Sequence, residues 1–151
     1  MKYIYKTQSE SESRQLGFIL GSALRGAECI AMFGDLGAGK TTFIRGLAKG
    51  LSIDESEISS PTFALVHEHE GRCRLFHFDM YRVVSLEDLY STGFFDYLEN
   101  GVMVIEWSEN IENALPENHL SVRIEKDGEN GRIFEIDGVD TPLDFEGGAE
   151  N

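Results

Sequence analysis

One short segment of the chain has residue types and spacing that suit the binding of phosphate groups. The segment reads Gly34-Asp35-Leu36-Gly37-Ala38-Gly39-Lys40-Thr41. It fits the pattern G-x-x-x-x-G-K-[ST], in which glycines without a Cβ let the backbone turn tightly and point its N–H groups at phosphate oxygens. Lys40 can reach the β- and γ-phosphates, and the Thr41 hydroxyl can ligate Mg²⁺. We therefore predict that residues 34–41 bind a nucleoside triphosphate together with Mg²⁺.

A buried strand must precede such a loop, and a helix must follow it. Cys29 to Phe33 is a short apolar run typical of a buried strand, and apolar residues recur at helical spacing from Phe43 to Leu51. The helix would also present the positive end of its dipole to the bound phosphates. This context favours a phosphate-binding loop over an ordinary glycine-rich turn.

Two acidic residues at predicted strand ends are candidates for the metal and for the attacking water. Glu106 follows the wholly apolar run Val102 to Ile105, which has the form of a Walker-B strand, and Asp79 ends the alternating run Leu75 to Phe78. We predict that Glu106 contacts Mg²⁺ directly or through water and that Asp79 serves the metal shell or the water. The sequence leaves open which acid is the direct metal ligand, and for either one the alternative is an exposed strand-end acid.

Five further side chains carry weaker signals. Thr62 either senses the γ-phosphate, as a switch-loop threonine does, or is a turn hydroxyl, which is the commoner case. His77 lies out of phase with the two phenylalanines that flank it, and it either faces the site or is a structural histidine. Trp107 is interpreted as a core residue rather than a stacking surface for a partner. Arg82 and Arg132 are candidates for a phosphate contact, although an exposed arginine is the default.

The order of the predicted elements defines the fold class. We predict an α/β protein with a P-loop NTPase-like three-layer fold, in which helices flank a mixed, mostly parallel sheet with hairpins. The ligand is expected at the carboxyl ends of the strands. Residues 1–138 are predicted to form a P-loop ATPase domain, and the acidic residues 139–151 a disordered tail. The predicted elements are helix 9–25, strand 28–33, a helix to residue 51, strands 63–70 and 72–79, helices 85–92 and 94–98, strand 102–105, helix 108–115 and strands 119–126 and 132–137.

The composition of the chain indicates which cellular compartment and which kinds of partner to expect. The chain has 151 residues, with 27 acidic against 13 basic side chains and a net charge of −14. Because nucleic-acid binding rests on Lys and Arg that neutralise phosphates, we expect no strong direct contact with nucleic acid. No apolar run is long enough to span a membrane, and the N-terminus lacks the apolar region of a signal peptide. Cys29 and Cys73 are isolated, as free thiols in a reducing compartment are, which favours the cytoplasm.

Motifs that the chain lacks favour one nucleotide over another and slow hydrolysis over fast hydrolysis. The chain has no Asn-Lys-x-Asp stretch with which GTPases recognise guanine, which favours ATP. No residue is an obvious glutamine for activating water, so we expect hydrolysis by the isolated protein to be slow. Two alternatives stay open: a small-molecule P-loop kinase, which would need a basic lid, and a non-catalytic adaptor in which Mg·ATP shapes a docking face.

Four sequence blocks follow one another along the chain. They are residues 34–42, Ser60-Pro61-Thr62-Phe63, His77-Phe78-Asp79-Met80-Tyr81-Arg82 and Val104-Ile105-Glu106-Trp107. The blocks, in this order, resemble the TsaE family, the small ATPase of bacterial tRNA threonylcarbamoyladenosine synthesis. The resemblance covers roughly residues 9–137, and Phe63 stands where the family often has tyrosine. The phosphate-binding loop alone is generic, but its combination with the other three blocks is specific.

The resemblance implies a P-loop fold that binds ATP and Mg²⁺, and it implies roles for particular residues. It implies that Thr41 and Glu106 lie at the metal. It also implies that Thr42 and Asp79 are needed for function.

The resemblance further implies contacts outside the loop and a protein partner. Glu10 and Arg132 occupy the positions from which members of the family touch the nucleotide. The chain is similar to an ATP-driven helper that docks on the TsaB–TsaD heterodimer, in which TsaD modifies the adenosine beside the anticodon. Such a helper need not grip tRNA directly, which agrees with the acidic composition of the chain.

Overall fold

The fold is organised around one sheet with helices on both faces. The structure is a computed structural model that describes residues 1–34, 38–59 and 66–145. The strands, in chain order, are β1 (Lys2–Thr7), β2 (Cys29–Phe33), β3 (Val66–Glu70), β4 (Arg74–Asp79), β5 (Val102–Glu106), β6 (Leu120–Asp127) and β7 (Gly131–Asp137). They form a seven-stranded sheet in the order β1-β7-β6-β2-β5-β4-β3. The helices are α1 (Glu10–Ala23), α2 (Lys40–Gly50), α3 (Leu86–Ser91) and α4 (Phe94–Tyr97), with 3₁₀ helices at Glu55–Glu57 and Ser108–Ala114.

The directions of the strands agree with the predicted fold class. β2 pairs in parallel with β5 and β6, and β4 pairs in parallel with β5. The remaining pairs are antiparallel, so that β3 and β7 run opposite to the other five strands. Every residue of β2 and β5 is buried, as is typical of parallel strands covered on both faces. The prediction of a three-layer α/β fold with a mixed, mostly parallel sheet is confirmed.

The structure has a strand before the first helix, β1, which the sequence patterns do not predict. β1 pairs with β7 along its whole length, from Lys2 opposite Asp137 to Thr7 opposite Arg132. Its side chains alternate, and Tyr5 and Thr7 are buried. Alternation is the signal of a half-buried strand, but a short run at the chain terminus has no flanking turn or hairpin to support it.

Two predicted helix starts are confirmed by their capping hydrogen bonds. The hydroxyl of Ser9 accepts the N–H of Glu12 at 3.2 Å, and the hydroxyl of Ser85 accepts the N–H of Asp88 at 3.1 Å. The Glu12 carboxylate in turn accepts the N–H of Gln8 at 2.7 Å. These bonds satisfy backbone donors that the first turn of a helix leaves without partners.

Helices α1 and α2 cross in backbone contact on one face of the sheet. A Cβ on Gly17 would lie 2.2 Å from the carbonyl oxygen of Phe43, and a Cβ on Gly46 would lie 2.0 Å from that of Arg14. Any larger side chain at either glycine would push the two helices apart, since packed interiors have no spare volume. The close crossing holds the first turn of α1 beside the start of α2, where the predicted phosphate-binding residues lie.

Shorter helices cover the opposite face of the sheet. Phe78 of β4 packs against Phe94 and Tyr97, with ring centroids 5.6 and 5.3 Å apart in edge-to-face geometry. Within the described residues, no helix has the length and apolar character needed to cross a membrane. The rim of this face exposes four large apolar side chains, namely Tyr81, Val84, Leu86 and Tyr90.

Two segments differ from their predicted structure. Residues 108–115, predicted as an ordinary helix, form the 3₁₀ helix Ser108–Ala114, in which Ile111 departs from helical backbone angles with φ −131° and ψ 25°. In the segment predicted as a disordered tail, Leu143 and Phe145 pack against the core, and the N–H of Leu143 donates to the Tyr5 hydroxyl at 2.8 Å. Residues 139–145 therefore belong to the folded part, because their apolar side chains reach the core. Residues 146–151 lie outside the described residues.

Candidate nucleotide-binding site

A cavity of about 440 Å³ lies at the end of the sheet where β5 and the turn after β2 meet. This is the edge formed by the carboxyl ends of the parallel strands, at which α/β folds bind their ligands. The elements α1, α2, β5 and β7 all contribute to its wall. Seven residues named by the sequence analysis line it, namely Glu10, Gly39, Lys40, Thr41, Thr42, Glu106 and Arg132.

Two glycines shape the described ends of the phosphate-binding loop. Gly34 has φ +146°, and a Cβ there would lie 2.7 Å from the carbonyl oxygen of Ile124. Gly39 caps the start of α2 with a left-handed φ of +100°. Both backbone conformations favour glycine, because a Cβ would add strain in each. The middle of the loop, Asp35, Leu36 and Gly37, lies outside the described residues, so its predicted contacts stay a prediction.

The ammonium group of Lys40 is held at the base of the cavity. Its Nζ donates to the carbonyl oxygen of Gly34 at 3.0 Å and lies 4.5 Å from the centroid of the Trp107 ring. Lys40 is buried, with 6% of its surface exposed. Among the described residues, the ammonium group has one carbonyl partner and an aromatic face beneath it. It is well placed to exchange that carbonyl for a phosphate oxygen, since bonds between ionised groups are the stronger ones.

Arg132 reaches the loop from β7, which lies two strands away from β2 in the sheet. Its Nε donates to the carbonyl oxygen of Ala38 at 2.9 Å, and its guanidinium group also donates to the carbonyl oxygen of Gly131 at 2.7 Å. The planar guanidinium group thereby joins β7 to the loop and still lines the cavity. The sequence offered Arg82 and Arg132 as candidates. The structure places Arg132 at the cavity, whereas Arg82 is exposed and is not among the described residues that line it.

Glu10 and Thr42 face each other across the cavity. The Thr42 hydroxyl donates to Oε1 of Glu10 at 3.4 Å, a contact between the first turns of α1 and α2. Beneath them, the hydroxyls of Thr7 and Ser13 lie 2.8 Å apart and are buried. A carboxylate at this position repels phosphate but can accept a hydroxyl or amino proton. It therefore suits the nucleoside part of a ligand rather than its phosphates.

Glu106 ends β5 and is paired with a histidine. Its Oε2 lies 2.6 Å from Nε2 of His77, and both side chains are buried. The two residues lie on adjacent parallel strands, with His77 opposite Val104, so their side chains share one face of the sheet. His77 therefore lies on the face of the sheet that carries Glu106, although it is not itself among the described residues that line the cavity.

Asp79 lies beside Glu106 in the register of β4 and β5, but it is not among the described residues that line the cavity. Its Oδ1 accepts the N–H of Tyr81 at 2.9 Å. Burial raises the pKa of Asp79 above its usual range, and the charge of Glu106 raises this pKa further, while the Tyr81 N–H and the nearby positive charge of Lys40 act in the opposite direction. A carboxylate with a raised pKa beside a second carboxylate suits a group that orients or takes a proton from water.

The donor chemistry of the cavity fits Mg²⁺ carried in by a nucleotide. The described residues contain no group of three or more His, Cys, Asp or Glu side chains arranged to hold a metal ion. Mg²⁺ in nucleotide sites uses one or two protein oxygens and completes its shell with waters and phosphate oxygens. Glu106 and Thr41 both line the cavity and supply such hard oxygen atoms.

Three residues that line the cavity belong to no recognisable sequence motif. Ser13, Glu129 and Asn130 also line the cavity. Glu129 and Asn130 lie in the turn between β6 and β7, where a polar sequence is expected whether or not a ligand binds nearby. Ser13 lay within the predicted first helix without any motif to single it out. Thr62, a candidate sensor of the γ-phosphate, lies outside the described residues.

The fold and the site together define a class of protein. A mostly parallel sheet carries a strand, a G-x-x-x-x-G-K-T segment and a helix at its centre, with an acid at the end of the adjacent strand. These features define an α/β protein with a P-loop NTPase-like fold. The family model described as "Threonylcarbamoyl adenosine biosynthesis protein TsaE" matches residues 7–134, and the chain belongs to this family.

Curated relatives and a solved structure agree with this assignment. The chain is 41% identical over 125 residues to the tRNA threonylcarbamoyladenosine biosynthesis protein TsaE of Treponema pallidum, a match that covers 81% of this chain and 92% of the relative. It is 42% identical over 142 residues to the protein of the same name from a Nostoc species, with 90% and 85% of the two chains covered. The crystal structure of YdiB from Bacillus subtilis superposes with a TM-score of 0.69 at 29% identity, covering 90% of this chain and 84% of YdiB.

Proposed function

We propose that the protein is a Mg²⁺-dependent ATPase that supports the threonylcarbamoylation of the adenosine beside the anticodon of tRNA by docking on the TsaB–TsaD heterodimer. The observation that carries this proposal is the meeting of Lys40, Thr41 and Glu106 at one cavity in a chain of the TsaE family. The relatives named above are tRNA threonylcarbamoyladenosine biosynthesis proteins.

In this proposal, the phosphates of ATP lie along the loop from Gly34 to Thr41. Lys40 exchanges the Gly34 carbonyl for the β- and γ-phosphates, and the start of α2 adds the positive end of its dipole. Arg132 holds the Ala38 end of the loop in place, and its guanidinium group is within reach of the phosphates. The Glu10 carboxylate receives the nucleoside end of the ligand.

The two acidic side chains at the strand ends have different roles in this proposal. Thr41 and Glu106 hold Mg²⁺, which when bound neutralises charge on the phosphate oxygens. Asp79 orients the attacking water and takes up its proton, a role supported by the direction of its pKa shift. Thr42 keeps Glu10 in place across the cavity and completes the first turn of α2.

The isolated protein is proposed to hydrolyse ATP slowly and to be stimulated by its partner. The described part of the site contains Lys40 and Arg132 as cations but no glutamine that could orient water. Groups at a protein interface can supply what is missing, as arginine fingers do in other P-loop enzymes. The net charge of −14 supports action through a protein partner rather than strong direct tRNA binding. The free thiols Cys29 and Cys73 support a cytoplasmic location.

The experiment that tests this function is ATP hydrolysis by the purified protein, alone and with a TsaB–TsaD heterodimer from the same source. We expect low turnover alone and a clear rise when the heterodimer is added. A brisk turnover by the isolated protein would contradict partner stimulation. If no complex forms with the heterodimer, the proposed docking is wrong, and a screen of phosphorylated metabolites would test for a kinase instead.

The Glu106→Ala variant separates an ATPase from an adaptor. If hydrolysis drives the function, this variant binds ATP but fails to support tRNA modification in a reconstituted reaction. If the protein is an adaptor that Mg·ATP merely shapes, the variant supports modification as long as ATP still binds.

A further inference from the structure

His77 is a buried polar side chain whose role the motifs do not explain. It lies in the middle of β4 between Phe76 and Phe78, and no part of it is exposed to solvent. Those two phenylalanines point to the opposite face of the sheet and belong to the core beneath the short helices. A leucine or phenylalanine would fill the His77 position without the cost of burying an imidazole. The histidine therefore calls for a polar partner.

The partner of His77 is the carboxylate that we assign to the metal. The distance of 2.6 Å between His77 Nε2 and Glu106 Oε2 is short for a nitrogen–oxygen hydrogen bond. Because the carboxylate oxygen accepts, the ring N–H donates. Glu106 also lines the cavity, so one end of its carboxylate is fixed by the fold while the side chain still faces the ligand space.

The second ring nitrogen of His77 makes no further hydrogen bond within the part of the chain that the structure describes. Nδ1 is buried and has no hydrogen-bond partner among the described residues. The nearby ring of His67, on β3, packs edge-on with its centroid 6.5 Å away. Buried polar atoms are usually paired, and an unpaired one needs an explanation. Among the described residues, the one hydrogen bond of the His77 ring is therefore the bond to Glu106.

We propose that His77 is a positioning residue for the nucleotide-bound magnesium: its Nε2–H fixes the orientation of the Glu106 carboxylate, so that the other carboxylate oxygen is presented to the metal. This inference rests on the proposed function, because it takes Glu106 as the carboxylate that meets Mg²⁺. Partners of metal ligands commonly orient the ligand and raise its affinity for the metal.

The test is the Mg²⁺ dependence of ADP binding, measured by titrating MgCl₂ into the protein with ADP. The fluorescence of Trp107 is the readout, since it is the chain's single tryptophan and lies under Lys40. We expect His77→Leu to need about 10-fold more Mg²⁺ for the same response. Its affinity for ADP in the presence of EDTA should equal that of the unmodified protein, because the nucleotide contacts themselves are unchanged. His67→Leu is the matched control, and its Mg²⁺ dependence should be unaltered.

Two further variants separate positioning from a general effect on folding. His77→Gln keeps an N–H donor at about the same reach, and we expect it to restore most of the Mg²⁺ affinity, whereas the shorter His77→Asn should not. In a Glu106→Gln background, His77→Leu should have no additional effect on the Mg²⁺ dependence, because the carboxylate through which His77 acts is gone. If His77→Leu fails to fold, the comparison of the Gln and Asn variants still decides the question.

The inference and the proposed function fail in different ways. If the unmodified protein shows no Mg²⁺-dependent binding of ADP, the proposed function is wrong and the inference falls with it. If the unmodified protein binds Mg·ADP but the His77 variants bind it with the same Mg²⁺ dependence, only the inference is overturned. An equal loss from His77→Leu with and without the Glu106 carboxylate would also overturn it, because that loss would be structural.

Discussion

The two faces of the sheet are built in different ways, although the same strands supply both. On the face under α1 and α2, β4 and β5 place the buried polar side chains His77 and Glu106 beside the cavity. On the opposite face, the same strands place Phe78 and Ile105 in an apolar cluster with the short helices. At the carboxyl ends of β4 and β5, alternation thus places polar side chains on one face and apolar side chains on the other, whereas further along the same strands Leu75, Val102 and Val104 contribute to the apolar core under α1 and α2.

The helices follow the same division. α1 and α2 are the longest helices described, and they are locked together through glycines at their crossing. This rigidity suits the proposed binding of one ligand by several side chains on that face. The other face has the short α-helices α3 and α4, of six and four residues, and leaves Val84 and Leu86 exposed at its rim. Substitutions on the two faces should therefore have separable effects.

The largest effect on stability is expected for Phe78→Ala on the apolar face. The side chain is fully buried against two aromatic rings, so its removal should lower the free energy of unfolding by about 3–5 kcal/mol. The folded protein should bind ADP as before. Chemical denaturation measures the first quantity, with Val84→Ala, at an 85% exposed position, as a control that changes stability by no more than about 0.5 kcal/mol. A weakened ADP affinity in folded Phe78→Ala would break the division between the faces.

On the binding face, Asp79→Ala is expected to impair the reaction but not binding. If Asp79 handles the attacking water, as we propose, ATP hydrolysis by the variant in the presence of the heterodimer should fall about 100-fold. Calorimetry should give an unchanged ATP affinity. Asp96→Ala, at an exposed position of α4, is the matched control. Normal hydrolysis by Asp79→Ala would show that another group handles the water.

The helices α1 and α2 lie so close at their crossing that even one added methyl group should lower the stability of the protein. Gly17→Ala places a Cβ against the carbonyl oxygen of Phe43, and we expect a loss of about 1–3 kcal/mol in the free energy of unfolding. Helix propensity alone would favour alanine by about 1 kcal/mol, so the sign of the change is informative. Ser22→Ala at an exposed position of the same helix controls for propensity. A stabilised Gly17→Ala would show that the helices can separate without cost.

The smallest effect is expected at Glu28, at the end of the sheet away from the cavity. Burial acts to raise the pKa of Glu28, but bonds from the backbone N–H groups of Arg25, Gly26 and Ala27 outweigh it, so that the pKa is lowered from 4.5. A lowered folded-state pKa adds stability that is present above pH 4.5 and is lost as the pH falls through the folded value. Glu28→Gln should therefore be slightly less stable than the unmodified protein near neutral pH, and the two should converge in acid. Thermal unfolding as a function of pH measures this, and a constant difference at every pH would contradict it.

Local patterns in the sequence could predict the parts of the fold and site that depend on neighbouring residues. Each of these features depends on residues that lie within a few positions of it along the chain. They are the caps at Ser9 and Ser85, the buried strand that ends at Glu106, and the glycines of the loop. Periodicity and capping depend on local backbone geometry, and therefore a single sequence contains their signal.

The contacts between residues that are distant in sequence depend on the order of strands in the sheet, which no local sequence pattern encodes. His77 meets Glu106 only because β4 lies next to β5, and Arg132 meets the loop because β7 lies two strands from β2. The packing of Phe145 against Tyr5 likewise joins the two ends of the chain. Alternation showed that His77 differed from its neighbours, but it could not identify the partner of the histidine.

Calorimetric titration of Mg·ATP into the purified protein measures whether the cavity binds the nucleotide through Lys40, as we propose. We expect measurable binding by the unmodified protein and by Lys49→Ala, a control at an exposed position of the same helix. Lys40→Ala should bind at least about 100-fold more weakly, because a charge-assisted contact to the phosphates is lost. Equal affinities for the Lys40→Ala and Lys49→Ala variants would show that the ligand binds elsewhere or without the loop, and the proposed site would be wrong.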